Sequence, residues 1–372
     1  MNATPSTRRK NLWIAALFLA PNFLGFAVFT LGPVLMSFGG SFTTWSLRPT
    51  TPLRFIGLDN YKALFSDRNF YFYLYNTAYL MLAIPVSIAG SLALAVWLNG
   101  KLNFKSPRTG PRAGVIAVAS SVVCAVALWA AGLRNVALLV AVIGLLSLLG
   151  FIFGSVSYRT FLYLPNFTAG AGTILLWSQL YNPHFGLINE SIESLYRLFG
   201  IHAAAPGWLT STRSLLGFLP FPEYFNNGGF GLGAREAIML MGIWAGVGGN
   251  NMLLYLAALS NISPELNEAA EIDGASPWQR FWHITWPQLA PTTFFIGIMS
   301  VIGGLQGGFE QARLMTQGGP AGITTTLSYY IYTQGFQRLD LGYGSAVAWV
   351  LFALIFGLTV LNWKFGNREV AT

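Results

Sequence analysis

The sequence predicts an all-α polytopic transmembrane helical bundle, and three observations predict it. Only 9% of the 372 residues are charged while 54% are hydrophobic, against about 25% charged in an average soluble domain. The mean hydropathy is +0.53. Eight runs, near 12–38, 71–98, 114–133, 135–155, 160–181, 237–260, 291–308 and 342–363, hold no Asp, Glu, Lys or Arg. A helix needs about 20 apolar residues to cross the hydrocarbon core, so eight spans are expected.

The net charge of +8 falls in short segments between these runs. Such bases read as cytoplasmic flanks of spans, not as a nucleic-acid surface. Arg8, Arg9 and Lys10 precede the first run, which is too long for the apolar part of a removable signal and reads as a first span. With residue 1 inside, the Lys/Arg totals on the two sides are nearly even. The short basic segment 101–112 then carries the orientation, and both termini are expected in the cytoplasm. Segments 39–70, 182–236 and 309–341 fall outside. The second contains an expected amphipathic helix over 189–199, with Ile192, Leu195, Tyr196 and Phe199 at helical spacing and Gly200 as its stop. Cys124 is the single cysteine; it excludes a disulfide or a Cys metal site and reads as a small buried hydrophobe.

Several chemistries are missing. Ion and proton relays through membranes use side chains that change charge at depth, and no run offers one. Na⁺ held by backbone carbonyls alone stays open. His184, His202 and His283 lie outside the runs and lack metal-ligand spacing. The Gly100-Lys101 pair is followed by Leu102, so no phosphate-binding loop is present. No catalytic residue and no cofactor are expected in this chain, and another subunit must supply energy. A membrane-embedded glycosyl or acyl transferase would need a titratable cluster near an interface, and the loops hold only scattered acids.

The informative segment is Ser263 to Ala290, on the expected cytoplasmic side. Ser263 suits an N-cap, Pro264 the first helical position and Glu265 the first turn; Leu266 in place of Glu or Gln denies it a full capping box. A helix through Glu265–Ile272 should break at Gly274. A second should start at Ser276-Pro277 and end at Trp286-Pro287. A helix–Gly–helix elbow, charged on one arm and aromatic on the other, suits a lever gripped by a soluble partner.

Glu268-Ala269-Ala270, three residues, Gly274, nine residues, then Ile284-x-x-Pro287 resembles the EAA loop of permease subunits of ATP-binding-cassette importers. Trp286 replaces the usual leucine before the final proline. Phe55–Tyr61, Tyr158–Pro165, Asn182–Asn189, Leu314–Pro320 and Asp340–Gly344 are similar to segments of maltose- and glycerol-phosphate-type sugar permeases. Leu17–Pro21 and Gly32-Pro33 resemble the first of the two permease types in such systems.

The resemblance implies a six-helix importer-permease core plus two inserted helices, in a multi-pass protein of the bacterial plasma membrane. It implies a carbohydrate importer, with a di- or oligosaccharide as the expected cargo. The implied partners are a homologous second permease, a dimer of ATP-binding subunits holding ATP and Mg, an extracellular or periplasmic sugar-binding protein, and membrane lipid. Residues 1–98 would hold the tail, two spans and the first external loop. Residues 99–156 would be the insert, expected as a lipid-facing hairpin, with a docking surface for another membrane protein as the alternative. Residues 157–366 would hold the core with the 182–236 loop and the 263–290 elbow, and 367–372 a cytoplasmic tail. Glu268, Ala269, Ala270, Gly274, Ile284 and Pro287 would couple to the ATPase.

Ligand-contacting positions of the maltose-type permease map onto Ile243, Val247 and Asn250 on one helix and Ser300, Gly303, Gly304 and Gly307 on the next. Asn250 and Ser300 can bond hydroxyls. Two readings of the glycines stay open: a wide wall for a bulky sugar, or close helix packing. Trp177, Trp244, Tyr329 and Tyr332 are expected as interfacial belt residues rather than sugar platforms. A span set without Lys or Arg points to a neutral cargo, and the volume left at Gly303, Gly304 and Gly307 to one larger than a monosaccharide.

Overall fold

The structure is a computed structural model that describes residues 5–102, 111–153, 155–168, 170–201, 203–219, 225 and 228–370. Most of the basic 101–112 segment, His202, Pro220 and Pro222 lie outside these residues. Among them the fold is helical, with isolated β-bridges only.

In chain order, α1 (Pro5–Phe26) runs through a π turn into α2 (Gly32–Gly40), followed by α3 (Asp59–Ser66), α4 (Arg68–Leu80) and α5 (Ala83–Leu102). Next come α6 (Pro111–Ala130), α7 (Arg134–Phe153), α8 (Ser155–Phe167), α9 (Ala171–Leu180) and α10 (Leu187–Leu198). Then follow α11 (Ala234–Val247), α12 (Asn250–Ser260), α13 (Pro264–Ile272), α14 (Pro277–Arg280) and α15 (Trp286–Gln306). The chain ends with α16 (Phe309–Gln311), α17 (Leu327–Tyr332) and α18 (Leu341–Val370). Five stretches among the described residues are long and apolar enough to cross a membrane: Trp13–Gly40, Arg68–Asn99, Ala234–Ser260, Pro277–Thr316 and Leu341–Lys364. The hairpin helices α6 and α7 have 20 residues each.

The run 160–181 is not one helix: it divides into α8 and α9 where Gly170 takes φ +96°. The expected amphipathic helix is α10, and Gly200 beyond it sits at φ +68°. Cys124 is exposed rather than buried. It lies on α6 among exposed Val122, Val123 and Val126, a face with no need of a protein partner if hydrocarbon covers it.

The chain forms two compact units, residues 1–70 with 330–354 and residues 71–329 with 355–372. In the first, the Asn60 amide donates to the carbonyls of Ser41 and Thr43 at 2.8 and 3.1 Å. Tyr330 donates to Asp67 at 2.6 Å and Tyr343 donates to the same oxygen at 3.3 Å. Burial, and then the bond to Asp67, hold the Tyr330 phenol well above its ordinary pKa.

In the second unit, α5 packs on α11, α12 and α15. Ala95, Leu98, Met252, Tyr255, Leu256, Leu259, Leu289 and Ile296 form the buried cluster. Small residues set the approach: a Cβ on Gly90 would stand 2.6 Å from Val247, and one on Gly246 2.9 Å from the Ser87 hydroxyl. Ser91 donates to the Gly246 carbonyl at 3.0 Å. In the hairpin, Ser121 of α6 fills the space a side chain at Gly144 of α7 would need. The hairpin is joined to the core by α7, which packs on α8 and α10.

Charge is buried just ahead of the apolar run 237–260. Helix α11 begins at Ala234, three residues before the apolar run, and buries Arg235 and Glu236, each 1% exposed. Both are satisfied, which is the condition for burying charge. Arg235 donates to Asn76 Oδ1 at 2.7 Å and to the carbonyls of Ile323 and Phe225 at 3.0 and 3.2 Å. Its guanidinium lies 5.1 and 5.0 Å from the Tyr75 and Tyr79 ring centres. Glu236 accepts from Tyr79, from Leu215 N at 2.9 Å and from Gly233 N at 3.0 Å. Asn76 and Thr77 in turn hold the 322–327 segment, Asn76 by the carbonyls of Gly322 and Thr325 and Thr77 by the amide of Leu327.

Candidate functional site

The elbow is built as its sequence demands. Pro264 opens α13, although Ser263 makes no side-chain cap bond. At the far end Gly274 adopts φ +81°. Ala275 N bonds Ala270 O at 2.9 Å and Gly274 N bonds Glu271 O at 3.1 Å. This pair of bonds is the Schellman closure, which places a left-handed residue at the position of Gly274. Two residues on, Ser276 and Gln279 form a capping box, with Ser276 N to Gln279 Oε1 at 2.8 Å and Gln279 N to Ser276 Oγ at 3.4 Å. The Ser-x-x-Gln spacing carries that signal.

The two arms are tied by Arg280 and Glu271, 2.7 Å apart. The second arm does not end at Trp286-Pro287. It passes through a π turn, Phe281–Thr285, straight into α15. A proline ring clashes with the carbonyl four residues back in an α-helix, and the wider turn before Pro287 relieves that clash. The elbow therefore continues into a membrane-length helix. Trp278, Trp282 and Trp286 meet edge to face along it, with ring centres 5.5 and 5.7 Å apart.

Of the six motif residues, Ala270, Gly274 and Ile284 line one notch of about 340 Å³ inside the elbow, together with Arg280 and His283. Glu268 lines a second notch of about 570 Å³ with Asn99, Asn267 and Glu271. Glu268, Ala269 and Pro287 are exposed. Two apolar side chains project beside them, Ile272 at 86% and Trp278 at 69% exposure.

The seven path positions do not form one site. Gly304 and Gly307 line a cavity of about 140 Å³ with Gly242, Gln311 and Thr326, below the roughly 300 Å³ at which ligand pockets begin. A Cβ at Gly304 would stand 2.7 Å from Ile84 and 3.0 Å from Met81, whereas one at Gly303 would meet nothing within 4 Å. Val247 fills the space over Gly90 and lines a larger apolar cavity of about 870 Å³ with Trp244, Pro165 and Thr173. Ile243 and Ser300 are half-buried. Asn250 is engaged by two side chains the sequence reading passed over: Tyr163 donates to its Oδ1 at 2.8 Å and Asn166 at 3.3 Å. Their signal was two polar residues at i, i+3 in an apolar run.

Both cavities gather at helix interruptions. The larger is lined by Thr168, beside the α8–α9 break, and Gly248, at the α11–α12 break. The smaller is lined by Met81, between α4 and α5, and by Gly307 and Gly308, after α15. Irregular backbone at membrane depth is tolerated only where protein buries it or a water-filled cavity meets it. A family described as "Binding-protein-dependent transport system inner membrane component" matches residues 61–364.

The chain belongs to this family. The sn-glycerol-3-phosphate transport system permease protein UgpA of Yersinia enterocolitica is 34% identical over 217 residues, 58% of this chain and 64% of that protein. The chain thus spans just under two thirds of that relative. The probable ABC transporter permease protein YesP of Bacillus subtilis is 27% identical over 375 residues, 100% of this chain and 95% of the relative. In three dimensions the chain is similar to one from a bacterial ABC transporter involved in import of the acidic polysaccharide alginate. The TM-score is 0.67 at 21% identity, with 96% of each chain covered. The chain shares that fold.

Proposed function

We propose that this permease is a membrane-spanning subunit of an ATP-driven carbohydrate importer, and that the Ser263–Ala290 elbow couples it to an ATPase. The observation that carries the reading is the elbow itself. Its Glu268, Ile272 and Trp278 are exposed, Glu268 lines one of its two notches, and its second arm is continuous with a membrane-length helix. A soluble partner seated there would move the span directly. A homologous second permease, a dimer of ATP-binding subunits and an extracytoplasmic sugar-binding protein complete the proposed complex. The alginate transporter of similar fold has also been solved with a pentasaccharide-bound periplasmic protein, which supports the last partner.

The proposed placement is a bacterial plasma membrane with eight crossings and cytoplasmic termini, α6 and α7 being an added pair that restores sidedness. The proposed cargo is a neutral di- or oligosaccharide. Arg235, the cation at the head of α11, is committed to protein acceptors and so does not offer itself to an anion. The test is reconstitution of this chain with the three other components. Sugar uptake and hydrolysis should both require the ATPase, and Glu268→Ala or Gly274→Asp should leave hydrolysis running while uptake falls. Normal uptake in both variants refutes the lever.

A further inference from the structure

We infer that Tyr163, Asn166 and Asn250 form a hydroxyl-binding site on the sugar path, an inference that rests on the importer reading above. The site exists because α8 and α11 touch backbone to backbone: a side chain at Gly248 would collide with the Leu162 carbonyl. That approach sets Tyr163 and Asn166 against Asn250, the first residue of α12. Asn166 Nδ2 donates to the Tyr163 hydroxyl at 2.8 Å, and the Tyr163 hydroxyl donates in turn to Asn250 Oδ1 at 2.8 Å.

Counting donors and acceptors leaves a matched remainder. An amide offers two donors and a carbonyl oxygen. Among the described residues, Asn250 Nδ2 and Asn166 Oδ1 have no hydrogen-bond partner. Asn250 is exposed, while Tyr163 and Asn166 are half-buried. A free donor beside a free acceptor, with a phenol between them, suits a sugar hydroxyl, which both gives and accepts.

Depth rules out lipid as the neighbour. Helix α12 has 11 residues from Asn250 to Ser260, roughly 16 Å at 1.5 Å per residue, about half the hydrocarbon thickness. An unpaired amide there has no water to meet unless the path supplies it. The triad therefore faces the aqueous route rather than acyl chains.

The test uses the complete transporter in membrane vesicles. Asn166→Cys and Asn250→Cys, each on a Cys124→Ala background, are treated with a charged, membrane-impermeant maleimide, with Val123→Cys as the lipid-facing control. Modification of both triad positions but not the control is expected; triad cysteines as inert as the control overturn the inference. Uptake is then measured with labelled maltose, maltotriose, raffinose, trigalacturonate and glycerol 3-phosphate. For the best substrate, Tyr163→Phe and Asn166→Ala should raise KM roughly threefold to tenfold. Unaltered KM in variants that assemble normally overturns the triad alone. Failure of the wild type to import any carbohydrate overturns the importer reading and this inference with it.

Discussion

Arg235 and Glu236 are adjacent and equally buried, and both meet Tyr79, whose ring lies 5.0 Å from the guanidinium and whose hydroxyl donates to the carboxylate. Arg235 also donates to Asn76 of α4 and to the carbonyls of Ile323 and Phe225, while Glu236 also accepts from the amides of Leu215 and Gly233. Removing one member of such a buried network typically costs about 3–5 kcal/mol. Arg235→Ala should therefore lower the melting temperature of the detergent-solubilised protein sharply. Arg235→Lys should rescue little, because an ammonium lacks the planar fork that reaches three acceptors. Melting of Arg235→Ala at the wild-type temperature would remove the network from the stability account.

Gly274 makes a graded series possible. Its φ of +81° is cheap for glycine, tolerable for asparagine and poor for β-branched residues. Coupled uptake should fall in the order Gly274→Asn, Gly274→Ala, Gly274→Val, with the first strain step about 1–2 kcal/mol. Equal activity across the series would show that the turn conformation is irrelevant to coupling.

The two neighbouring glycines of α15 should separate into different roles. Gly304→Leu would drive into Ile84 and Met81, whereas Gly303→Leu enters open space. Gly304→Leu should yield a poorly assembled complex, and overpacking of this kind typically costs about 1–3 kcal/mol. Gly303→Leu should assemble normally. Measuring complex yield by size-exclusion chromatography decides it, and intact assembly of Gly304→Leu would return that glycine to the path wall.

The Tyr330–Asp67 bond predicts a pH behaviour. The folded Tyr330 pKa is raised above the ordinary 10.0, so the protonated phenol is the form that folding favours. Its contribution is fully present below about pH 10 and is lost only as pH climbs through the raised value. The melting difference between wild type and Tyr330→Phe should thus be the same at pH 7 and pH 9. A hydrogen bond to a charged group is worth about 1.5–3 kcal/mol, which sets the expected size. A difference that collapses by pH 9 would contradict the assignment.

Much of this was legible in the residues, for identifiable reasons. Spans announce themselves because lipid demands long apolar runs, and the elbow did so because Pro264, Gly274 and Ser276 carry turn chemistry that survives any context. Gly200 and Gly274, expected as a helix stop and a break, both sit at positive φ. What could not be read was tertiary. Arg235 and Glu236 looked like loop residues until α4 and the 322–327 segment closed around them. Cys124 looked buried because it sits in an apolar run, and such a run does not say which of its faces meets lipid. Pro287 looked like a stop because a π turn leaves no mark in composition. The grouping of Tyr163 with Asn250 needs the α8–α11 crossing at Gly248, which spacing along one helix cannot reveal.

From Pro277 the helix continues through the π turn to Gln306 without a break, 30 residues or roughly 45 Å of rod at 1.5 Å per residue. That is the whole thickness of a bilayer with its headgroups. A strut of this kind has no joint at the membrane surface. A displacement of Trp278 by a few ångströms would arrive at Gly307 and Gly308 as a stroke of similar length, softened by the compliance of the turn ahead of Pro287. Flexing begins where the rod ends, at the two glycines beside the small cavity. Timing between the two faces of the membrane would then be set by the stiffness of one helix, with no signal relayed from residue to residue.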